Sequence, residues 1–158
     1  MIICYRPPGN NVRGFIDFLD QVLTDLPANE SHNLCLVGDF NSKHSSWLPS
    51  QDTTFAGTEL FNLTASFGLT QVVSDPTFTT NSGKDVLLDL IFVNEPHHLK
   101  KCPTLPTVTD HSPTLLTLSF SNAREAAAKG HGDIMWNNHS ADYEGLRQEF
   151  SRLDLNLL

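Results

Sequence analysis

The sequence is short of cysteine, of positive charge and of long apolar stretches. Its three cysteines, Cys4, Cys35 and Cys102, are odd in number and widely spaced. That pattern excludes a disulfide framework and a CxxC-type zinc site. Cys4 and Cys35 sit in apolar runs and read as small buried hydrophobes. The chain accordingly reads as intracellular, in nucleus or cytoplasm, where thiols stay reduced. No apolar run approaches the roughly 20 residues needed to cross a bilayer. The first five residues are too short for a signal peptide, and Arg6 follows them instead of preceding them. The expectation is a soluble chain with no membrane partner. Lys and Arg number 10 against 18 Asp and Glu, for a net charge of −8. This is the wrong overall sign for a nucleic-acid binder, whose affinity comes from cations on phosphates. Clustered carboxylates are, however, what a hard divalent cation needs. Charge alone selects neither reading.

Several chemistries lack their motifs. Ser45 and Ser46 have no GxSxG elbow around them. The chain has no P-loop and no GxGxxG, and its histidines are not spaced as HExxH. It also lacks an internal repeat.

A length of 158 residues with 39% hydrophobic composition suits one domain with a modest core. Residues 1–5 read as a strand ended by Arg6-Pro7-Pro8-Gly9. Phe15, Phe18, Leu19, Val22, Leu23 and Leu26 recur at helical spacing, predicting a helix over 12–26 stopped by Pro27. Residues 33–40 read as an apolar strand and 41–54 as a polar loop. A second helix is predicted over 58–67, with Gly68 as its C′ residue. Short extended pieces follow at 69–73 and 77–80, then a turn at 81–84. Residues 86–93 form a nearly all-apolar strand, buried on both faces and interrupted by one Asp. A connector at 94–106 and a last strand at 112–120 complete the set. Residues 122–133 read as a linker, and 142–158 as an amphipathic helix capped by Ser140 or Asp142. The boundary falls after residue 121. Strands alternating with helices give an α/β protein with its polar clusters at strand ends, where such folds build sites.

Three strand ends carry acidic or imidazole groups: Gly38-Asp39-Phe40-Asn41 followed by His44, then Asp89, then Asp110-His111. Asp89 lies in so apolar a strand that it needs a partner. It reads either as a carboxylate satisfied by backbone groups or as the partner that orients the His111 imidazole. Asp39 follows a glycine that lets the backbone turn and a ligand approach. Asp39 and Asn41, two apart in extended chain, would share a face able to hold a metal, a water or a phosphate oxygen. The alternative is an Asx-turn closing the strand. His44 reads as an exposed loop histidine or a site residue, and His97 and His98 as solvated. Trp47 either stacks on a base or sugar or anchors its loop.

Taken together, YRPP, GDFN, LDLIF and TDH in this order resemble the endonuclease/exonuclease/phosphatase superfamily, the DNase-I-like fold. GDFNSKHSSW and SDPTFTTNSGKDVLLDLIFVN are similar to the endonuclease domain of non-LTR retrotransposons. The resemblance covers about residues 1–120. It implies packed β-sheets flanked by helices, an α/β four-layer arrangement, and phosphodiester cleavage with Mg²⁺, for which Mn²⁺ can substitute. It implies DNA as partner, with a reverse transcriptase domain downstream in a full-length relative. By motif, Asp39 would orient or deprotonate the attacking water and contribute to the metal site. Asn41 would hold the scissile phosphate, and the Tyr5 hydroxyl would approach it. Asp110 would bind the metal or a metal-bound water. His111 would contact the phosphate with Asp89 behind it, and Arg6 and His44 would touch substrate.

The same resemblance implies that roughly 100 residues of a complete domain precede the Tyr5 strand. They would carry a principal glutamate ligand. Glu30, Glu59 and Glu95 do not stand in its context. The expectation is a site with weakened Mg²⁺ binding and weak or no nuclease activity. Two other functions stay open: a phosphatase of the same fold, and a catalytically dead remnant or interaction domain.

Overall fold

The structure, a computed structural model, describes residues 1–9, 11–26, 33–107, 110–119 and 148. The predicted linker and C-terminal helix lie outside the described residues, apart from Gln148.

A four-stranded mixed sheet organises the fold. Its strands are β1 (Ile2–Tyr5), β2 (Cys35–Asp39), β3 (Thr70–Gln71) and β6 (Asp89–Val93), in the order β1-β2-β6-β3. β1 runs parallel to β2, and β6 runs antiparallel to β2 and β3. A parallel pair needs a crossover, and helix α1 (Val12–Thr24) supplies it. Asn11 caps α1 by accepting from Gly14 N at 3.1 Å. Helix α2 (Phe55–Ser66) starts three residues before the predicted position, because the Thr54 hydroxyl accepts from Gly57 N at 3.1 Å. Gly68 closes it at φ +66°, as its position after the apolar pattern implied.

One face of the sheet is apolar across β1, β2 and β6. Leu36, Leu90 and Phe92 point to it and join Leu19 and Leu23 of α1 and Leu60 and Leu63 of α2 in one core. Phe40 packs edge-on against Phe92 at 5.7 Å and Phe15 at 6.3 Å. Gly38 faces β1 within this sheet. A Cβ there would lie 1.8 Å from the Cys4 carbonyl oxygen. The glycine therefore serves strand packing, which differs from the turning and ligand-approach role expected of it.

The predicted strand over 86–93 is broken in two. β5 (Asp85–Val86) pairs with β4 (Phe78–Thr79) in a separate hairpin, and β6 begins only at Asp89. Leu87 and Leu88 carry the chain between the two sheets. Buried Thr77 holds this switch, its hydroxyl accepting from Leu88 N at 3.1 Å and Asp89 N at 3.0 Å. The expected connector over 94–106 holds a 3₁₀ turn (Pro96–His98) and β7 (Leu99–Lys101). The expected strand over 112–120 reduces to β8 (Thr117–Leu118), which pairs with β7. The ribbon continues as a single bridge between Thr104 and Thr114. Of the cysteines read as buried, Cys35 is buried and Cys4 half-buried.

Candidate active site

Strand register alone assembles most of the site. Tyr5 pairs with Asp39, and Asp39 pairs with Asp89. Register partners point to the same face of a sheet. Three strands thus end in one row, Tyr5–Asp39–Asp89, on the face away from the helices. Chain segment 111–114 lies over that face and borders an open cleft of about 600 Å³, lined by Val37, Asp39, Asp89, Ile91 and His111 among others.

His111 joins the row from the side. Its Nδ1 lies 2.8 Å from Asp89 Oδ2. Both side chains are about one-third exposed, so the carboxylate in the apolar strand has the imidazole as its partner. Phe78 flanks the imidazole with ring centroids 4.8 Å apart. Thr77 O accepts from Ser112 N at 2.7 Å. Thr77 therefore ties the Asp89 backbone and the His111 segment to one residue. Thr77 and Phe78 were expected only as part of the extended piece at 77–80, with no part in the site. Their signal was a threonine and a phenylalanine within SDPTFTT, and neither residue type marks a site by itself.

Burial lowers the proton affinity of His111. The bond to Asp89 and the charges of Asp89, Asp39 and Asp110 outweigh it, so the imidazole titrates above its ordinary 6.5. Burial raises the Asp39 carboxyl, and the Asp89 charge adds to this. The Asn41 donors and the His111 charge oppose it without cancelling it.

Asn41 reaches Asp39 by a route other than the expected extended chain. It sits at φ +44°, a left-handed conformation that asparagine tolerates better than most residues. From there its backbone N donates to Asp39 Oδ1 at 3.0 Å, and its Nδ2 donates to Asp39 Oδ2 at 3.1 Å. The same amide donates to Arg6 O at 2.8 Å. The Asx-turn and the site reading describe one arrangement. Asn41 spends its amide donors on Asp39 and on Arg6, where a phosphate contact had been expected.

Arg6 is 7% exposed and its guanidinium faces backbone carbonyls, not the cleft. Direct contact with substrate, expected from sequence, is not available to it in this arrangement. Tyr5, by contrast, is 66% exposed beside Asp39. Asp110 is exposed and stands outside the cluster of Asp39, Asp89 and His111. His44 is half-buried, stacked on Phe61 with centroids 4.4 Å apart and planes 1° from parallel. Its Nδ1 accepts from Ser46 N at 3.1 Å. Trp47 is buried against Phe92, which makes it a loop anchor. His97 is exposed as expected, while His98 is half-buried.

Asp39, Asp89 and His111 each offer a ligand atom, all within 4.8 Å of one another. Two facing carboxylates with one imidazole suit a hard or borderline divalent cation. Their mutual repulsion also calls for positive charge at this spot. The donor set fits a metal.

Residues 1–115 match the family model described as endonuclease-reverse transcriptase. Among solved structures, the endonuclease domain of TRAS1, a telomere-specific non-LTR retrotransposon, is similar at TM-score 0.61 and 20% identity. The match covers 73% of this chain and 55% of that one. No curated protein matches. The α/β architecture expected from the motifs, a DNase-I-like arrangement of sheets and flanking helices, is therefore present.

Proposed function

The chain belongs to the endonuclease-reverse transcriptase family, and on that premise we propose that it nicks DNA by Mg²⁺-dependent phosphodiester hydrolysis. The observation that carries this function is the row Tyr5–Asp39–Asp89 with His111 bonded to its end. Asp39, held by Asn41, orients the attacking water and accepts its proton. The charged imidazole of His111, held through Nδ1 by Asp89, meets charge developing on the phosphate. Tyr5, the exposed register partner of Asp39, offers its hydroxyl to substrate. Asp39 and Asp89 are the carboxylates toward which a metal ion would be held, while Asp110, expected in that role from the resemblance, lies outside the cluster they form with His111. When bound, such an ion supplies Lewis-acid stabilisation of the phosphoryl oxygens.

The matched region spans about 55% of the solved TRAS1 domain, so the activity of a whole domain, and its strength here, belong to the proposal. So does an association with a reverse transcriptase in a longer protein. Work on DNA places the chain inside the cell, in nucleus or cytoplasm. None of the described helices is long and apolar enough to cross a membrane.

Plasmid nicking in Mg²⁺ tests this function. Nicking by the chain, lost in Asp39→Ala, is the expected result. An intact plasmid together with no heat of Mg²⁺ or Mn²⁺ binding in calorimetry would move the chain to the class of non-catalytic remnants.

A further inference from the structure

Arg6 is the only charged side chain that is buried among the described residues. A buried charge is costly unless hydrogen bonds compensate it. The bonds it makes among the described residues go to backbone carbonyls. Nε donates to Phe40 O at 2.6 Å, Nη2 donates to Asn41 O, and Nη1 reaches Pro7 O at 3.5 Å. Its backbone takes part as well. Arg6 N donates to Asp39 O at 2.9 Å, and Arg6 O accepts from Asn41 Nδ2 at 2.8 Å. The first residue after β1 is thus laced by four bonds to the end of β2 and the turn that follows it.

We propose that Arg6 is a positioning residue, whose guanidinium grips the carbonyls of Phe40 and Asn41 and thereby fixes the turn in which Asn41 holds the Asp39 carboxylate. The proposal rests on the nuclease reading of Asp39. The turn needs an external hold because Asn41 is left-handed, a conformation that a non-glycine residue keeps only when its surroundings fix it. A planar guanidinium can span two adjacent carbonyls, whereas an ammonium offers a single point of charge. Arg6 therefore acts at a distance from substrate, through Asn41. That separates it from a phosphate-binding arginine, which needs an exposed fork.

Arg6→Lys and Arg6→Gln test it, with melting curves reporting the folded fraction. Per folded molecule, kcat for nicking falls about 10- to 100-fold, the scale of a 1 Å misplacement, while KM for DNA stays unchanged. The slope of log binding constant against log salt also stays unchanged in both variants. A slope weakened by about 0.9 with a raised KM would show a lost phosphate contact and overturn the proposal. A lowered melting temperature with kcat per folded molecule intact would overturn it too, leaving Arg6 a purely structural part. A readout without catalysis keeps the two ideas distinguishable. In the wild-type chain the Arg6 Nε–H exchanges slowly by NMR, and in Arg6→Lys the Asn41 side-chain amide resonances move. A fast-exchanging Nε–H sinks the clamp whether or not the chain cuts DNA or the variants fold. Slow exchange in a chain that cuts no DNA keeps the clamp and removes the nuclease.

Discussion

The imidazole Nδ1 of His111 sits 2.8 Å from the carboxylate of Asp89 across 22 residues of chain. The pair has a definite pH signature. His111 titrates above its ordinary 6.5 in the folded chain, so its charge stabilises the fold fully below the unfolded value. That stabilisation fades as pH rises through the folded value. In chelator-containing buffer, the stability lost in His111→Asn should be larger near about pH 6 than near about pH 9. Asp89→Asn should shrink the difference, since Asp89 supplies the bond and the largest of the charges that raise His111. Urea unfolding at both pH values checks this, and a deficit independent of pH would contradict it.

Gly38 should be irreplaceable for steric reasons. Its added Cβ would meet the Cys4 carbonyl at 1.8 Å, in a backbone conformation of φ +154°. Gly38→Ala should cost about 3 kcal/mol or more in denaturant unfolding, combining overpacking with backbone strain. A cost within about 0.5 kcal/mol, the range of neutral surface changes, would mean β1 sits farther from β2 than the register shows.

Thr77→Val removes one hydroxyl and leaves Leu88 N and Asp89 N without their acceptor. Unfolding should show a loss of about 1–3 kcal/mol. Nicking should also fall, since the start of β6 carries Asp89. Thr77→Ser, which keeps the acceptor, should restore the rate. Equal rates in Thr77→Val and wild type would remove Thr77 from the support of the site.

Trp47 and His44 belong to one aromatic cluster with Phe61 and Phe92. Trp47→Ala should cost about 3–5 kcal/mol, as for other buried aromatics. DNA affinity of the folded fraction should stay close to wild type. A large loss of DNA binding with stability intact would restore Trp47 to the role of a base-stacking residue.

Much of this was legible in the residues. The apolar runs ending at Asp39 and around Asp89 read as strands, while their order and the register that aligns Asp39 with Asp89 came only with the structure. The need of a lone carboxylate for a partner pointed from Asp89 to His111. Three things were hidden. The break at Leu87–Leu88 looked like continuous apolar strand, since hydrophobicity cannot report a hydroxyl from Thr77 capturing two amides. Arg6 stood as a substrate contact implied by the resemblance, because residue type says nothing about which way a guanidinium is turned. The bond from Asn41 N to Asp39 was open as the Asx-turn alternative, but the left-handed Asn41 that also brings its side-chain amide onto the same carboxylate was not.

Single-turnover cleavage of a DNA duplex tests the centre most directly, comparing the wild-type chain with Asp39→Asn in Mg²⁺ and in chelator. A row of Tyr5, Asp39, Asp89 and His111 acting as one metal-dependent site predicts cleavage in Mg²⁺, none in chelator, and a loss of at least about 100-fold in the variant. Cleavage by Asp39→Asn at the wild-type rate, or no cleavage by the wild-type chain, would contradict it.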